Sequence, residues 1–344
     1  MRSESANGRL LIWKITGKMI VDRPLFGVGF DRFKSYYMTA QADYFAEKPD
    51  SPEAKLADDA NYAFNDFLQH TAENGMIGLV LMLLILITAF RVKPQPSHTP
   101  ETFLSFNSYL LSSKAGLAAV AVFAFFSYPA QVLPIKMSVI LYLAFITSLS
   151  ANQLCSIHFP KYIPVKYVVA LLLAIGLMVT VPCLKKSRIA WKSWKEAHHL
   201  YTLGGYTGCL PHYEKAWPIL KTDGDYLTNY GKALSMANEH QQAIEVLRQA
   251  VFYYPNIVVY TALGDSYKAL GKTVEAEQAY LTAYYMNPSR FYAQYLLAKL
   301  YDETGQTEKA TDIANELLQK EVKIPSVAIK EIKEEMRKMV EIKN

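Results

Sequence analysis

In its first half the chain alternates long charge-free stretches with polar ones, and it then settles into an even helical pattern. Residues 76–90, 115–133, 137–157 and 167–184 carry no charged side chain. Spanning a hydrocarbon core takes roughly 20 apolar residues, with a range of about 17–25. The second and fourth stretches have that length. The first reaches it once the helix begins near Phe67, and the third, with Ser148, Asn152 and Gln153 near its end, fits least well. A charge at the bilayer centre costs about 2.5–3.5 kcal/mol on insertion scales, so Lys114 and Lys136 are expected at helix ends, opening the second and third spans. Pro129 and Pro134 fall in the turn between them. The pattern predicts three or four spans, four being preferred, over about 71–91, 110–130, 135–153 and 165–184.

Beyond about residue 187 apolar positions recur at helical spacing and repeat. Gly231, Ala243, Leu247, Ala250 and Pro255 return 33 residues later as Gly264, Ala276, Tyr280, Ala283 and Pro288. Weaker copies hold Ala298, Ala310, Ala314 and Leu317 on one side, and Ala197, Cys209, Tyr213 and Ala216 on the other. Small residues let two antiparallel helices approach, leucine or aromatic residues fill the seam, and the proline ends the second helix. The period and the small-large-small order resemble the tetratricopeptide repeat. After Pro325 a last helix carries Ile329, Ile332, Met336 and Val340 on one stripe, as expected of a helix that closes an exposed solenoid end. The predicted fold is all-α: polytopic membrane helices, three or four spans, followed by a tetratricopeptide-repeat α-solenoid. The expected division is a polar N-terminal loop over 1–70, membrane helices over 71–186, repeats over 187–323 and a capping helix over 324–344.

At the N-terminus, GRLLIWKITGKMI has helical character, with Arg9, Trp13 and Ile20 along one side and Lys14 and Lys18 at i, i+4 on another, a composition suited to a membrane interface. Pro24, Gly27 and Gly29 in DRPLFGVGFDRF mark a bend, and a polar loop, EKPDSPEAKLADDANYA, leads to FNDFLQHTAENGMIG at the first span. If that last stretch is helical, Asp66, His70 and Glu73 share a face at i, i+4 and i+7.

Composition changes this picture little. A net charge of +5 over 344 residues gives no reason for a nucleic-acid partner. Cys155, Cys183 and Cys209 lack ligand spacing and read as apolar packing, and Asp58 with Asp59 reads as a solvated loop, so neither a metal nor a cofactor is expected. No signal peptide is evident at Met1.

The order GRLLIW, RPLFGVGF, polar loop and Asn-containing helix entry ending in GMIG resembles the large extracytoplasmic loop of the O-antigen ligase and polymerase family, in particular Bacteroidetes-type members with a C-terminal tetratricopeptide array. The resemblance covers roughly residues 5–150. It implies transfer of glycan from an undecaprenyl-diphosphate-linked donor to a lipid A core or to a glycan acceptor, on the outer face of a bacterial inner membrane, without cofactor. The family's ligase motif is His-Asn, nine residues, then Gly-x-x-Gly. Asn65, Gly75 and Gly78 match that spacing, but Phe64 stands in the histidine's place, so the base is another residue or is missing. Arg9 falls where the family has a loop arginine facing the diphosphate.

Such a transfer needs a cation at the leaving group and a base at the incoming hydroxyl, and a guanidinium suits phosphate oxygens. The candidate catalytic residues are therefore Arg9, His70 and Glu73, with Lys14, Arg32, Asn65, Asp66 and Gln69 as substrate-binding candidates. Gly75 and Gly78 are expected to permit close helix packing. The repeats imply a groove for a protein partner. Because family members carry many spans before this loop, the resemblance also implies that the chain is the C-terminal part of such a protein.

Four spans would put both the N-terminal loop and the repeats in the periplasm, with Arg91, Lys93 and Lys161 cytoplasmic. The basic run Lys185, Lys186, Arg188, Lys192 and Lys195 pulls the other way, toward three spans and cytoplasmic repeats, and the four-span topology is preferred. The alternative function is a non-enzymatic, membrane-anchored tetratricopeptide scaffold for an envelope assembly complex.

Overall fold

The computed structural model describes residues 2–49, 51–93, 100–150, 165–322 and 324–343. Asn152, Gln153, Cys155 and Lys161 lie outside the described residues. The described chain is all-helical, without strands. It forms two compact units, one of Ile12–Phe33 with Asn61–Thr180, the other of Met1–Leu11, Lys34–Ala60 and Val181–Asn344.

In the first of these units, the C-terminal part of α1 (Arg2–Asp22) is followed by a Gly-containing turn, then by α3 (Asp66–Arg91), α4 (Pro100–Ala124), a 3-10 turn Pro129–Gln131 and α5 (Leu133–Ser148). The helices α3, α4 and α5 pack through Ala89, Leu110, Leu117 and Ile146. Gly116 makes the closest approach possible, since a Cβ there would lie 2.5 Å from the Tyr142 ring. Lys114, expected to open a span, instead lies inside α4. Its Nζ donates to the carbonyls of Phe90 (2.9 Å) and Val92 (2.6 Å). Those carbonyls end α3 and lack helical partners, so the ammonium is satisfied without sitting at a helix end.

Asp66–Arg91 and Tyr167–Thr202 are long and apolar enough to cross a membrane, while Leu133–Ser148 is a shorter apolar helix. The second of these belongs to α6 (Val165–Thr202), in which every side chain from 167 to 186 is exposed. An apolar helix bare on all sides needs hydrocarbon as its solvent.

The other unit holds the solenoid. After α6 come α7 (Tyr206–Leu220), α8 (Gly224–Met236), α9 (His240–Tyr253), α10 (Ile257–Ala269), α11 (Thr273–Met286), α12 (Tyr292–Glu303), α13 (Thr307–Gln319) and α14 (Val327–Lys343). The repeat logic holds atom by atom. A Cβ on Gly231 would sit 2.5 Å from Leu247 Cγ, and one on Gly264 would sit 2.2 Å from Tyr280 Cε1, so the absent side chains are what let α8 meet α9 and α10 meet α11. Ala243, Ala276 and Ala310 are fully buried at equivalent places. In the weaker first copy Ala197, Cys209, Tyr213 and Ala216 are fully buried. At the far end Ile332 and Met336 of α14 pack on Ala314 and Leu317, closing the core. Cys183, by contrast, is exposed on α6.

Candidate functional site

The mouth of α3 is built around a break in the helix. Gly75 has φ +66°, and its neighbours' backbone groups turn outward to meet the turn at 24–29. Val28 and Gly29 donate to the carbonyls of Ala72 (2.9 Å) and Glu73 (2.8 Å), while Met76 donates to the carbonyl of Pro24 (2.8 Å). Gly27, also at φ +66°, completes the fit: its Cβ would lie 2.5 Å from the Ala72 carbonyl oxygen, and a Cβ at Gly75 would lie 2.1 Å from that of Leu25. Positive φ and this backbone approach both exclude a side chain. Gly75, expected to serve helix–helix packing, serves instead to let a loop pair with an opened helix.

One side of the mouth is a closed hydrogen-bond chain. Trp13 Nε1 donates to the Ala63 carbonyl (2.8 Å), and Ala63 N–H donates to Gln69 Oε1 (3.1 Å). Gln69 Nε2 donates to Glu73 Oε1 (3.2 Å), which also accepts from Phe33 N–H (3.2 Å), while Glu73 Oε2 accepts from Asp31 N–H (3.3 Å). Asn65 is the N-cap, its Oδ1 accepting from Leu68 N–H (3.0 Å). All three polar side chains are buried, Glu73 at 5% exposure. The local sequence accounts for this: Asn is among the best N-caps, and residues at 65, 69 and 73 fall along one stripe of the helix.

The other side is open. A cavity of about 560 Å³ lies among α3, α4 and α5, apolar along most of its length through residues such as Leu81, Leu117 and Leu143. Its polar end is formed by Asp66, His70, Asn74 and Lys136. Asp66 Oδ2 accepts from Ala130 N–H at 2.8 Å, tying the mouth to the turn before α5. The Asn74 amide nitrogen lies 3.2 Å from His70 Nδ1. With Nδ1 accepting that bond, the ring proton sits on Nε2, and a neutral imidazole presents a donor. Gly78 keeps this nitrogen uncovered, since a Cβ there would lie 3.2 Å from His70 Nε2 and 2.4 Å from Asn74 Cβ.

The structure therefore divides the expected trio. Asp66 and His70 face the cavity, but the Glu73 carboxylate is taken up by the loop, where it accepts from the N–H groups of Asp31 and Phe33. Asn65 and Gln69 go with Glu73. Lys14 is exposed on α1, and Arg32 is half-buried beside Gly29. Arg9, half-buried on α1, belongs to the unit that holds the repeats rather than to the one that holds the cavity. Phe64, at φ +53°, sets its ring edge-on to Tyr128 at 5.4 Å, and Tyr62 stacks on the same ring at 4.7 Å. Asn74, Gly78 and Lys136 were missed as cavity residues. The i, i+4 relation of Asn74 to His70, and of Gly78 to Asn74, was the available signal, whereas Lys136 reads like any interfacial lysine.

Comparison with known proteins falls on this same segment. Residues 1–83 match the O-antigen ligase family model. The ligase-type segment thus contains the loop, the break at Gly75 and the polar cavity residues of α3, and the match supports a membrane glycan ligase or polymerase type of function. Residues 257–290, covering α10 and α11, match the tetratricopeptide repeat. No curated protein matches the chain. Among solved structures, the crystal structure of MamA protein aligns at 19% identity and a TM-score of 0.37, over 44% of this chain and 88% of that one.

Proposed function

We propose that the chain is the glycan-transferring part of a multi-pass inner-membrane ligase or polymerase acting on an undecaprenyl-diphosphate-linked glycan, with residues 1–70 and the repeats in the periplasm. The observation that carries this is the cavity: an apolar space of about 560 Å³ between helices ends in Asp66, His70 and Asn74, on the segment that matches the ligase model, and in Lys136. In this reading the isoprenoid lies against the apolar length. The Nε2–H of His70 and the Lys136 ammonium face the diphosphate, and the family resemblance alone assigns Arg9 a role in the transfer. The Asp66 carboxylate takes the proton of the acceptor hydroxyl as its oxygen bonds to the sugar's anomeric carbon, while the bond from that carbon to the diphosphate breaks and the lipid diphosphate departs. Glu73 holds the loop in place and touches no substrate. The acceptor is a lipid A core or a further glycan.

The test is glycan transfer by full-length protein in membranes. His70→Ala and Arg9→Ala are each expected to lower transfer about 10²–10⁴-fold, the usual worth of a positioned proton-transfer or charge-stabilising group, with membrane insertion intact. Unchanged product yield and length in both would refute the reading. Phe64 in the motif's histidine position favours the alternative of a non-enzymatic scaffold, and that unchanged result is what the scaffold predicts.

A further inference from the structure

The segment just before the α3 mouth is bound to the repeats. Lys34–Ala60, which contains most of α2 (Phe33–Glu47) and a 3-10 turn Pro52–Leu56, belongs to the same compact unit as the solenoid. Its contacts touch several successive repeats. Lys34 Nζ lies 2.9 Å from Asp225 Oδ2 at the start of α8 and 3.5 Å from the centre of the Tyr254 ring. Ser35 Oγ donates to the carbonyl of Tyr253, the last residue of α9, at 2.6 Å. One repeat further on, the fully buried Gln41 donates through Nε2 to the carbonyl of Met286, the last residue of α11. Asp58 and Asp59, expected as a solvated pair, face Arg290 at 3.3 and 3.7 Å. Lys55 reaches Glu321, just past α13, at 2.7 Å.

Tyr253 and Met286 are 33 residues apart, one repeat period. The final carbonyls of a helix have no partner within it and carry its negative pole. A solenoid therefore presents such groups at fixed intervals along one edge, and Ser35 and Gln41 supply donors at that interval. The ion pairs are exposed and each contributes little. The buried Gln41 contact sets the register, because leaving a buried amide or carbonyl without its bond is costly.

We infer that the repeat array works in cis. Its inter-repeat edge is the binding surface for residues 34–60 of its own chain, and the two lie on the same membrane face. The chain leaves that face at α3 and must be back on it by the end of the apolar part of α6, so the number of crossings between them is even. That selects four spans over three and places the basic run at 185–195 on the loop's side despite the positive-inside tendency. The inference does not depend on glycan transfer.

Full-length protein in native membranes, with its own cysteines replaced, tests it. Lys34→Cys with Asp225→Cys, and Lys55→Cys with Glu321→Cys, are expected to cross-link with a short bis-maleimide and shift on a gel. Lys34→Cys with Glu321→Cys, the mismatched ends, is expected not to shift. A membrane-impermeant maleimide applied to each single variant in intact spheroplasts and in inverted vesicles reads the face. Lys34→Cys and Asp225→Cys are expected to label from the same side. Matched pairs that cross-link no better than the mismatched one, or single variants labelled from opposite sides, would overturn the inference. Both labelled from the cytosolic side would uphold the clamp and the even crossing while refuting the periplasmic site proposed above.

Discussion

The two sides of the α3 mouth carry the same kinds of residue to opposite ends. Asn65, Gln69 and Glu73 are amide and carboxylate groups, as are Asp66 and Asn74, and all lie within nine residues of a helix start. On the first side each partner is fixed within the protein, and the side chains hold a loop against an opened helix. On the second, Asp66, His70 and Asn74 border a cavity. Polarity at a membrane threshold is thus no evidence of a substrate. What separates the two sides is burial: Asn65, Gln69 and Glu73 are closed in, whereas Asp66, although it accepts from Ala130 N–H, still lines the cavity with His70 and Asn74.

That contrast can be broken. Gly75→Val is expected to have the largest effect, since it forces positive φ on a β-branched residue and drives a side chain into the Leu25 carbonyl. The loop then cannot pair with the helix, and protease resistance of residues 1–83 in membranes should be lost, with transfer. Next, Glu73→Leu strands the N–H groups of Asp31 and Phe33 and one Gln69 donor, at about 1–3 kcal/mol for each buried group. Thermal stability and transfer should fall together, whereas His70→Ala should lower transfer and leave the melting temperature unchanged. Equal stability loss in both variants would erase the distinction between the two sides. Asn65→Ala, which removes a helix cap, should cost about 1 kcal/mol, seen as a modest fall in melting temperature.

A pH titration extends the distinction to the array, where Lys320 has internal partners but still suffers burial. Its ammonium donates to the Arg290 carbonyl at 3.0 Å and lies 5.2 Å from the centre of the Phe291 ring, and desolvation lowers its pKa from 10.5 to about 8. Between those two values the unfolded chain binds the extra proton and the folded one does not, so stability should rise as pH climbs from about 8 toward 10.5. In Lys320→Met that rise should flatten. An unaltered pH profile of array unfolding would show that the amine is not desolvated.

The array was legible because its determinants are local and recur. Gly231 and Gly264 stand where Leu247 and Tyr280 need space, and a single period states the rule twice. The mouth was legible only in part. A helical wheel places Asp66, His70 and Glu73 near one another, but what covers each side depends on residues 24–33, some forty positions earlier. The sign of φ at Gly75 has no signature beyond the glycine itself. Lys114 misled because the rule that sends charges to helix ends assumes they have no partner, and here the free carbonyls of α3 provide one. The clamp was not readable at all, since the meeting of Ser35 with Tyr253 is a property of the folded array.

That last contact also constrains how the molecule is made. Ser35 is 218 residues ahead of Tyr253 and Gln41 is 245 ahead of Met286. At a synthesis rate of roughly 5–20 residues per second, the early segment leaves the ribosome roughly 10–50 s before its seat exists. Throughout that interval the apolar helices are being threaded into the bilayer, so closure of the clamp is a late event of biogenesis, and a nascent chain stalled within the repeats would expose its N-terminal loop unclasped.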